Sequence, residues 1–143
     1  MTKNILFSEV TDVLDKLENT SIPYLLTGSR ALTFLNRPSS DIDIAVPVSS
    51  SLTIQRLFPQ TNDPGYNPYG NEVVSYKHHK IEFIFYSDTE WALLYAQRKY
   101  HGKYTLMNDL HIIRKKIEML KQDVKDVRMK HLMDLEYIIE QLS

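Results

Sequence analysis

The sequence predicts an α/β (α+β) fold in which a small mixed β-sheet is flanked by helices. Amphipathic segments with helical spacing alternate with short apolar runs that are bounded by turn-forming residues. The chain has 143 residues, 43% of them hydrophobic and 24% charged, which are ordinary values for one globular domain. We therefore predict a single domain over residues 1–143, with a core at about 20–90 and a C-terminal helical hairpin at about 105–142.

The first third of the chain predicts alternating helices and strands. Apolar residues at helical spacing indicate an amphipathic helix over residues 4–19. The predicted elements that follow are a strand at 24–27, a short helix at 30–35, a strand at 40–46 and a helix from the serines at 49–51 to Phe58.

The rest of the chain predicts a hairpin and then helices. Residues 59–71 are rich in Pro, Gly and Asn and predict a loop. Residues 72–78 and 80–87 read as a β-hairpin that turns at His78-His79, and Ser87 with Glu90 forms a capping box for a helix over 88–99. After residues 101–104, we predict helices at about 105–121 and 125–142.

Composition excludes several classes of function. The chain has no Cys, which excludes disulfides, thiolate metal sites and cysteine nucleophiles. No apolar run approaches the roughly 18 residues that span a bilayer, and the acidic, amphipathic N-terminus is unlike a signal peptide. We expect a cytoplasmic protein that does not bind a membrane.

Residues 97–131 hold ten Lys/Arg against four Asp/Glu. Such a basic block is typical of either a solvated helix face or a surface that attracts phosphate-bearing ligands.

Two carboxylates interrupt the apolar strand at 40–46. Because side chains alternate along a strand, Asp41 and Asp43 share one face while Ile42 and Ile44 share the other. Two neighbouring negative charges either raise each other's pKa or require a cation. Mg²⁺ suits such a pair, because it takes few carboxylates and completes its shell with water and phosphate oxygens. A merely solvated pair on a surface strand is the alternative.

Glu82 interrupts a second apolar strand in the same way. If the two strands are neighbours, three carboxylates meet on one sheet face, enough for two metals about 3.5–4 Å apart. An edge-strand charge that discourages aggregation is the alternative for Glu82.

Upstream, Gly28-Ser29 lies between a strand and a helix, where a glycine lets the backbone approach a phosphate. The Ser29 hydroxyl could add a hydrogen bond or cap the helix.

Residues 28–46, GSRALTFLNRPSSDIDIAV, resemble the signature of the DNA polymerase β-like nucleotidyltransferase superfamily. That signature is Gly-Ser, about a dozen residues, Asp-x-Asp and a later acidic residue, here Glu82. The portion ALTFLNRPSSDID, in which Arg37 lies four residues before Asp41, is similar to the small toxin–antitoxin or abortive-infection type of these enzymes. The resemblance covers residues 20–90.

The resemblance implies a role for each matching residue. Gly28 and Ser29 would hold the β- and γ-phosphates, and Arg37 would contact phosphate. Asp41 and Asp43 would bind both metals, and Glu82 would complete the second metal site and help to deprotonate the acceptor. Weaker candidates for nucleotide contact are Lys130 and Asp134, whose spacing also suits an ordinary intrahelical ion pair.

The resulting hypothesis is a nucleotidyltransferase that uses Mg²⁺, with Mn²⁺ able to substitute. It would move a nucleoside monophosphate from a nucleoside triphosphate such as ATP to an acceptor hydroxyl on a protein, a small molecule or RNA, and release pyrophosphate. The first alternative is a catalytically silent binding module of the same fold, antitoxin-like or regulatory, with a protein partner. The second is a nucleic-acid-binding protein that uses the basic block at 97–131. Members that act on nucleic acids usually carry a further acceptor domain.

Overall fold

The computed structural model describes residues 7–28, 42–59, 65–67, 70–76 and 81–121, together with positions 132, 135 and 136. Four helices lie in this part of the chain: α1 (Phe7–Asn19), α2 (Ser51–Leu57), α3 (Asp88–Ala96) and α4 (Asp109–Lys121). A 3₁₀ turn (Val48–Ser50) precedes α2. The strands are β1 (Leu25–Thr27), β2 (Ile42–Pro47), β3 (Gly65–Tyr66), β4 (Glu72–Tyr76), β5 (Ile81–Tyr86), β6 (Lys99–His101) and β7 (Tyr104–Leu106).

The strands form one mixed sheet in the order β3-β4-β5-β2-β1-β7-β6. β2 pairs in parallel with β5 and antiparallel with β1, and β1 pairs in parallel with β7. The chain divides into two compact units, Met1–Met107 and Asn108–Ser143, and the whole sheet belongs to the first. The predicted α/β class, with a mixed sheet and flanking helices, is confirmed.

The sheet has more strands than the sequence indicated. The predicted loop at 59–71 contains β3, and the segment after α3 forms the β6–β7 hairpin. Its two-residue turn begins with Gly102 at φ +60°, which suits a type II′ turn. The helix predicted to begin at about 105 therefore begins at Asp109. Three-residue strands are too short for alternation to reveal them. The predicted helix at 30–35 and most of that at 125–142 lie outside the described residues.

One face of the central strands is packed against helices. The Phe58 ring, just after α2, contacts the rings of Phe83 and Tyr76 at centroid distances of 5.0 and 5.1 Å. Lys16 of α1 lies over the Phe58 ring, with its Nζ 5.0 Å from the ring centroid, and donates a hydrogen bond to the Leu57 carbonyl at 2.8 Å. Because side chains alternate along a strand, the neighbours of Phe83 project from the opposite face.

None of the helices in the described ranges combines the length and the apolarity that a membrane span requires.

Candidate functional site

Strand register aligns four polar side chains across the sheet. Thr27 of β1 lies opposite Asp43 of β2, Asp43 lies opposite Glu82 of β5, and Glu82 lies opposite Ser75 of β4. Residues paired in this way project to the same face, with neighbouring strands about 4.8 Å apart. We call these four residues the polar row. Its centre is a pair of carboxylates that were predicted to meet if their strands were neighbours.

Buried apolar residues fix the backbone on both sides of each carboxylate. Ile42 and Ile44 flank Asp43 in sequence and are at most 1% exposed, and Ile81 and Phe83 flank Glu82 with the same low exposure. The two carboxylates themselves are half-buried, and each takes part in a further interaction within the chain. Like charges directly opposite each other on neighbouring strands are unfavourable. The pair is therefore held in place by packing on the other face of the sheet and favours a cation beside it.

Gly28 brings the backbone against the Asp43 carboxylate. It follows β1 directly, at φ +73°, a conformation that residues other than glycine adopt at a cost. A Cβ atom at this position would lie 2.8 Å from Asp43 Oδ2, closer than real Cβ contacts. Both the dihedral angle and the close approach therefore require glycine here. The phosphate role predicted for Gly28 needs the same open backbone.

Thr27 and Ser75, the outer members of the polar row, were not predicted as site residues. Thr27 is 7% exposed, and its Oγ1 donates to Met107 Sδ at 3.2 Å, so this hydroxyl is engaged in the core. Ser75 is half-buried. Only the pairing of β4 with β5 reveals its position, because no local motif marks it.

The donor set suits magnesium. In the described ranges no group of three or more His, Cys, Asp or Glu side chains could hold a metal ion. Two carboxylates are nonetheless a normal protein contribution to Mg²⁺, which takes its other ligands from water and substrate phosphates. Asp43 and Glu82 fit that pattern. Five further predicted site residues lie outside the described residues: Ser29, Arg37, Asp41, Lys130 and Asp134.

No protein-family model and no curated protein sequence matches the chain. Solved structures do match. ANT(2″)-Ia, in a complex with adenylyl-2″-tobramycin, aligns over 96% of this chain and 89% of its own, with a TM-score of 0.71 and 13% identity. An antigenic nucleotidyltransferase-like protein from Paracoccidioides brasiliensis aligns over 94% and 75%, with a TM-score of 0.63 and 18% identity. A proposed nucleotidyltransferase from Thermotoga maritima, TM1012, aligns over 89% and 92%, with a TM-score of 0.61 and 16% identity.

The chain has a nucleotidyltransferase fold. The resemblance found at residues 28–46 is thus confirmed for the fold, while the narrower likeness to the toxin–antitoxin or abortive-infection type stays a prediction. At 13–18% identity the neighbours establish architecture alone. The activity of this nucleotidyltransferase fold has to be inferred from the residues at the polar row.

The basic block lies partly on α4, in the second unit of this nucleotidyltransferase fold. Arg114 is exposed, whereas Lys116 is only 5% exposed and interacts within the chain. Partial burial lowers the pKa of His111, and the neighbouring charges of Arg114 and Lys115 lower it further. This helix is therefore not a uniformly solvated basic face, which weakens the simplest picture of a nucleic-acid-binding surface.

Proposed function

We propose that the protein is a metal-dependent nucleotidyltransferase that moves a nucleoside monophosphate from a nucleoside triphosphate to an acceptor hydroxyl. The observation that carries the proposal is the in-register pair of Asp43 and Glu82, with the Gly28 backbone against Asp43, on this fold. A carboxylate pair beside an open glycine backbone combines a cation site with space for phosphate.

The site residues have distinct proposed roles. Asp43 and Glu82, with Asp41 two residues earlier in the chain, would hold Mg²⁺ or Mn²⁺, which would neutralise phosphate charge and polarise the reacting phosphoryl group. Gly28 gives the phosphates access to the backbone, and the Ser29 hydroxyl donates to a phosphate oxygen. Further nucleotide contacts are proposed for residues outside the described ranges: Arg37, Lys130 and Asp134.

The proposed reaction is one displacement at the α-phosphorus. A bond forms between the acceptor oxygen and the α-phosphorus, and the bond from that phosphorus to the oxygen bridging to the β-phosphate breaks. Pyrophosphate leaves with the electron pair of that bond. Glu82 accepts the proton of the acceptor hydroxyl, because its carboxylate lies beside Asp43 on the same face.

We propose that the acceptor is a small molecule and that the first nucleotide to test is ATP. ANT(2″)-Ia, which matches 96% of this chain, is a protein whose structure holds an adenylylated small molecule, adenylyl-2″-tobramycin. The alignment also spans 89% of that chain, so the match covers most of a protein that accommodates such a product. Protein and RNA acceptors are the other outcomes of the same experiment.

The test follows the α-phosphate. A cell lysate is first separated into fractions of small molecules, proteins and RNA. Each of the four nucleoside triphosphates, labelled with ³²P at the α-position, is then incubated with Mg²⁺, the protein and one of these fractions. Only nucleotidyl transfer carries the α-label to an acceptor, and γ-labelled nucleotide controls for kinase activity. Wild type is compared with Asp43→Asn and with Glu72→Gln. The second variant is the control, because Glu72 is the first residue of β4 and is not a member of the polar row.

We expect label in the small-molecule fraction with wild type and with Glu72→Gln. Removal of one carboxylate of the pair should reduce transfer at least about 100-fold, since charge stabilisation by a bound metal is worth several kcal/mol. Equal transfer by Asp43→Asn would refute the assigned site. A wild-type protein that neither transfers label nor binds nucleotide with Mg²⁺ would contradict the proposed nucleotidyltransferase activity and favour the catalytically silent binding module.

A further inference from the structure

Ser75 lies at the outer end of the polar row, next to Glu82. The two residues are directly paired between β4 and β5, so their side chains project to the same face. Val74, which precedes Ser75, is 1% exposed, and Tyr76, which follows it, packs against Phe58 on the opposite face. The packing of these two neighbours keeps Ser75 directed toward the carboxylate face.

The hydroxyls at the two ends of the polar row differ in their hydrogen bonding. At the other end of the row the Thr27 hydroxyl is committed to Met107 Sδ. In the ranges that the structure describes, the Ser75 hydroxyl makes no hydrogen bond. A half-buried hydroxyl that can both donate and accept, beside a carboxylate and without a hydrogen bond in the described part of the chain, suits recognition of a polar group.

The order of the strands gives the direction from which an acceptor must arrive. Gly28 lies at the β1 end of the row, and the strands then run β1, β2, β5 and β4. In a displacement at phosphorus the attacking and leaving oxygens lie roughly in line on opposite sides. If the phosphates rest at Gly28, pyrophosphate leaves on the β1 side. The acceptor hydroxyl therefore approaches from the β5 and β4 side, where Ser75 lies one strand spacing, about 4.8 Å, beyond Glu82.

We infer that Ser75 binds the acceptor and selects molecules that carry a second hydroxyl or an amine close to the hydroxyl that is nucleotidylated. This inference rests on the proposed function. Glu82 takes the proton of the reacting hydroxyl, and Ser75 hydrogen-bonds the neighbouring polar group, which holds the acceptor in line. A polyol or an amino sugar has such adjacent groups, whereas a simple alcohol does not.

The test separates acceptor binding from nucleotide binding. Wild type, Ser75→Ala and Ser75→Thr are assayed for transfer from α-³²P-ATP while the amount of the lysate small-molecule fraction, and separately of ATP, is varied. Binding of a non-hydrolysable ATP analogue with Mg²⁺ is measured in parallel. Urea unfolding checks that each variant is folded. Should Ser75→Ala fold poorly, Ser75→Cys, which nearly keeps the size of the side chain, replaces it.

We expect Ser75→Ala to raise the amount of acceptor fraction needed for half-maximal transfer up to about tenfold, the value of one lost hydrogen bond. ATP saturation and analogue binding should not change, and Ser75→Thr should restore acceptor saturation. High acceptor should rescue Ser75→Ala but not Asp43→Asn. Unchanged acceptor saturation, or equal weakening of acceptor and ATP, would overturn the inference while leaving the proposed function intact. A wild type without nucleotide binding or transfer would instead refute the proposed function, and the role of Ser75 with it.

Discussion

Replacement of Gly28 by alanine should damage nucleotide binding more than it damages folding. The residue has φ +73°, and an L-residue in the left-handed region costs about 1–2 kcal/mol. The new Cβ atom would also lie 2.8 Å from Asp43 Oδ2, whereas ordinary contact begins at 3.4 Å. The carboxylate or the β1 end must therefore move by about 0.6 Å, and misplacements near 1 Å can cost about 100-fold in catalysis.

Gly102→Ala provides the matched control. Gly102 also has a left-handed φ, +60°, but nothing lies within 4 Å of the Cβ atom that alanine would add there. The backbone strain that both variants share should cost each of them about 1–2 kcal/mol of unfolding free energy, measured in urea. Only Gly28→Ala should lose Mg²⁺-dependent binding of a non-hydrolysable ATP analogue, measured by calorimetry, by at least about tenfold.

Two results would refute this reasoning. If Gly28→Ala bound the analogue as wild type does, the close approach of Gly28 to Asp43 would have no bearing on the nucleotide. If Gly102→Ala lost binding to the same degree, the effect would come from general destabilisation of the sheet. A loss confined to Gly28→Ala, at equal stability of the two variants, would tie the carboxylate position to binding.

Two further predictions concern stability. Ser87 Oγ caps α3 by accepting a hydrogen bond from the Glu90 backbone N–H at 3.3 Å, so Ser87→Ala should cost about 1 kcal/mol in urea unfolding, and Ser87→Asn should retain most of it. A full loss with Asn would contradict the capping role. Lys103 Nζ lies 2.8 Å from Asp15 Oδ1, and its hydrogen bond lowers the pKa of the Asp15 carboxyl. The pair therefore stabilises the fold at pH values above 3.8, the ordinary pKa of that carboxyl, and its contribution disappears as the pH falls through the lowered pKa. In low salt, the urea midpoints of wild type and Lys103→Gln should differ slightly at about pH 7 and converge as the pH falls below 3.8; a constant difference would exclude Asp15 as the cause.

The central strands were predictable because their patterns are local. Apolar residues on both sides of Asp43 and of Glu82 indicated strands that bury one face and expose the other, and the observed pairing of β2 with β5 agrees. The β6–β7 hairpin was not predictable in this way, since each strand has only three residues and β7 also pairs with β1, which is distant in sequence. Its pairing depends on contacts distant in sequence, such as the hydrogen bond from Thr105 Oγ1 to the Tyr24 carbonyl.

The same distinction applies to the site. Gly28 and Asp43 lie in one motif, in which a glycine between a strand and a helix suggested a phosphate site and two aspartates on one strand face suggested a cation site. Glu82 needed one further assumption, that its strand lies beside that of Asp43, and Ser75 needed the register of a second strand pair. Because a slip of one residue in either pairing would turn the side chain to the packed face, sequence periodicity cannot identify such a residue. The residue proposed to bind the acceptor is therefore the one that sequence motifs reveal least, while the residues proposed to hold the nucleotide and its metal are found first.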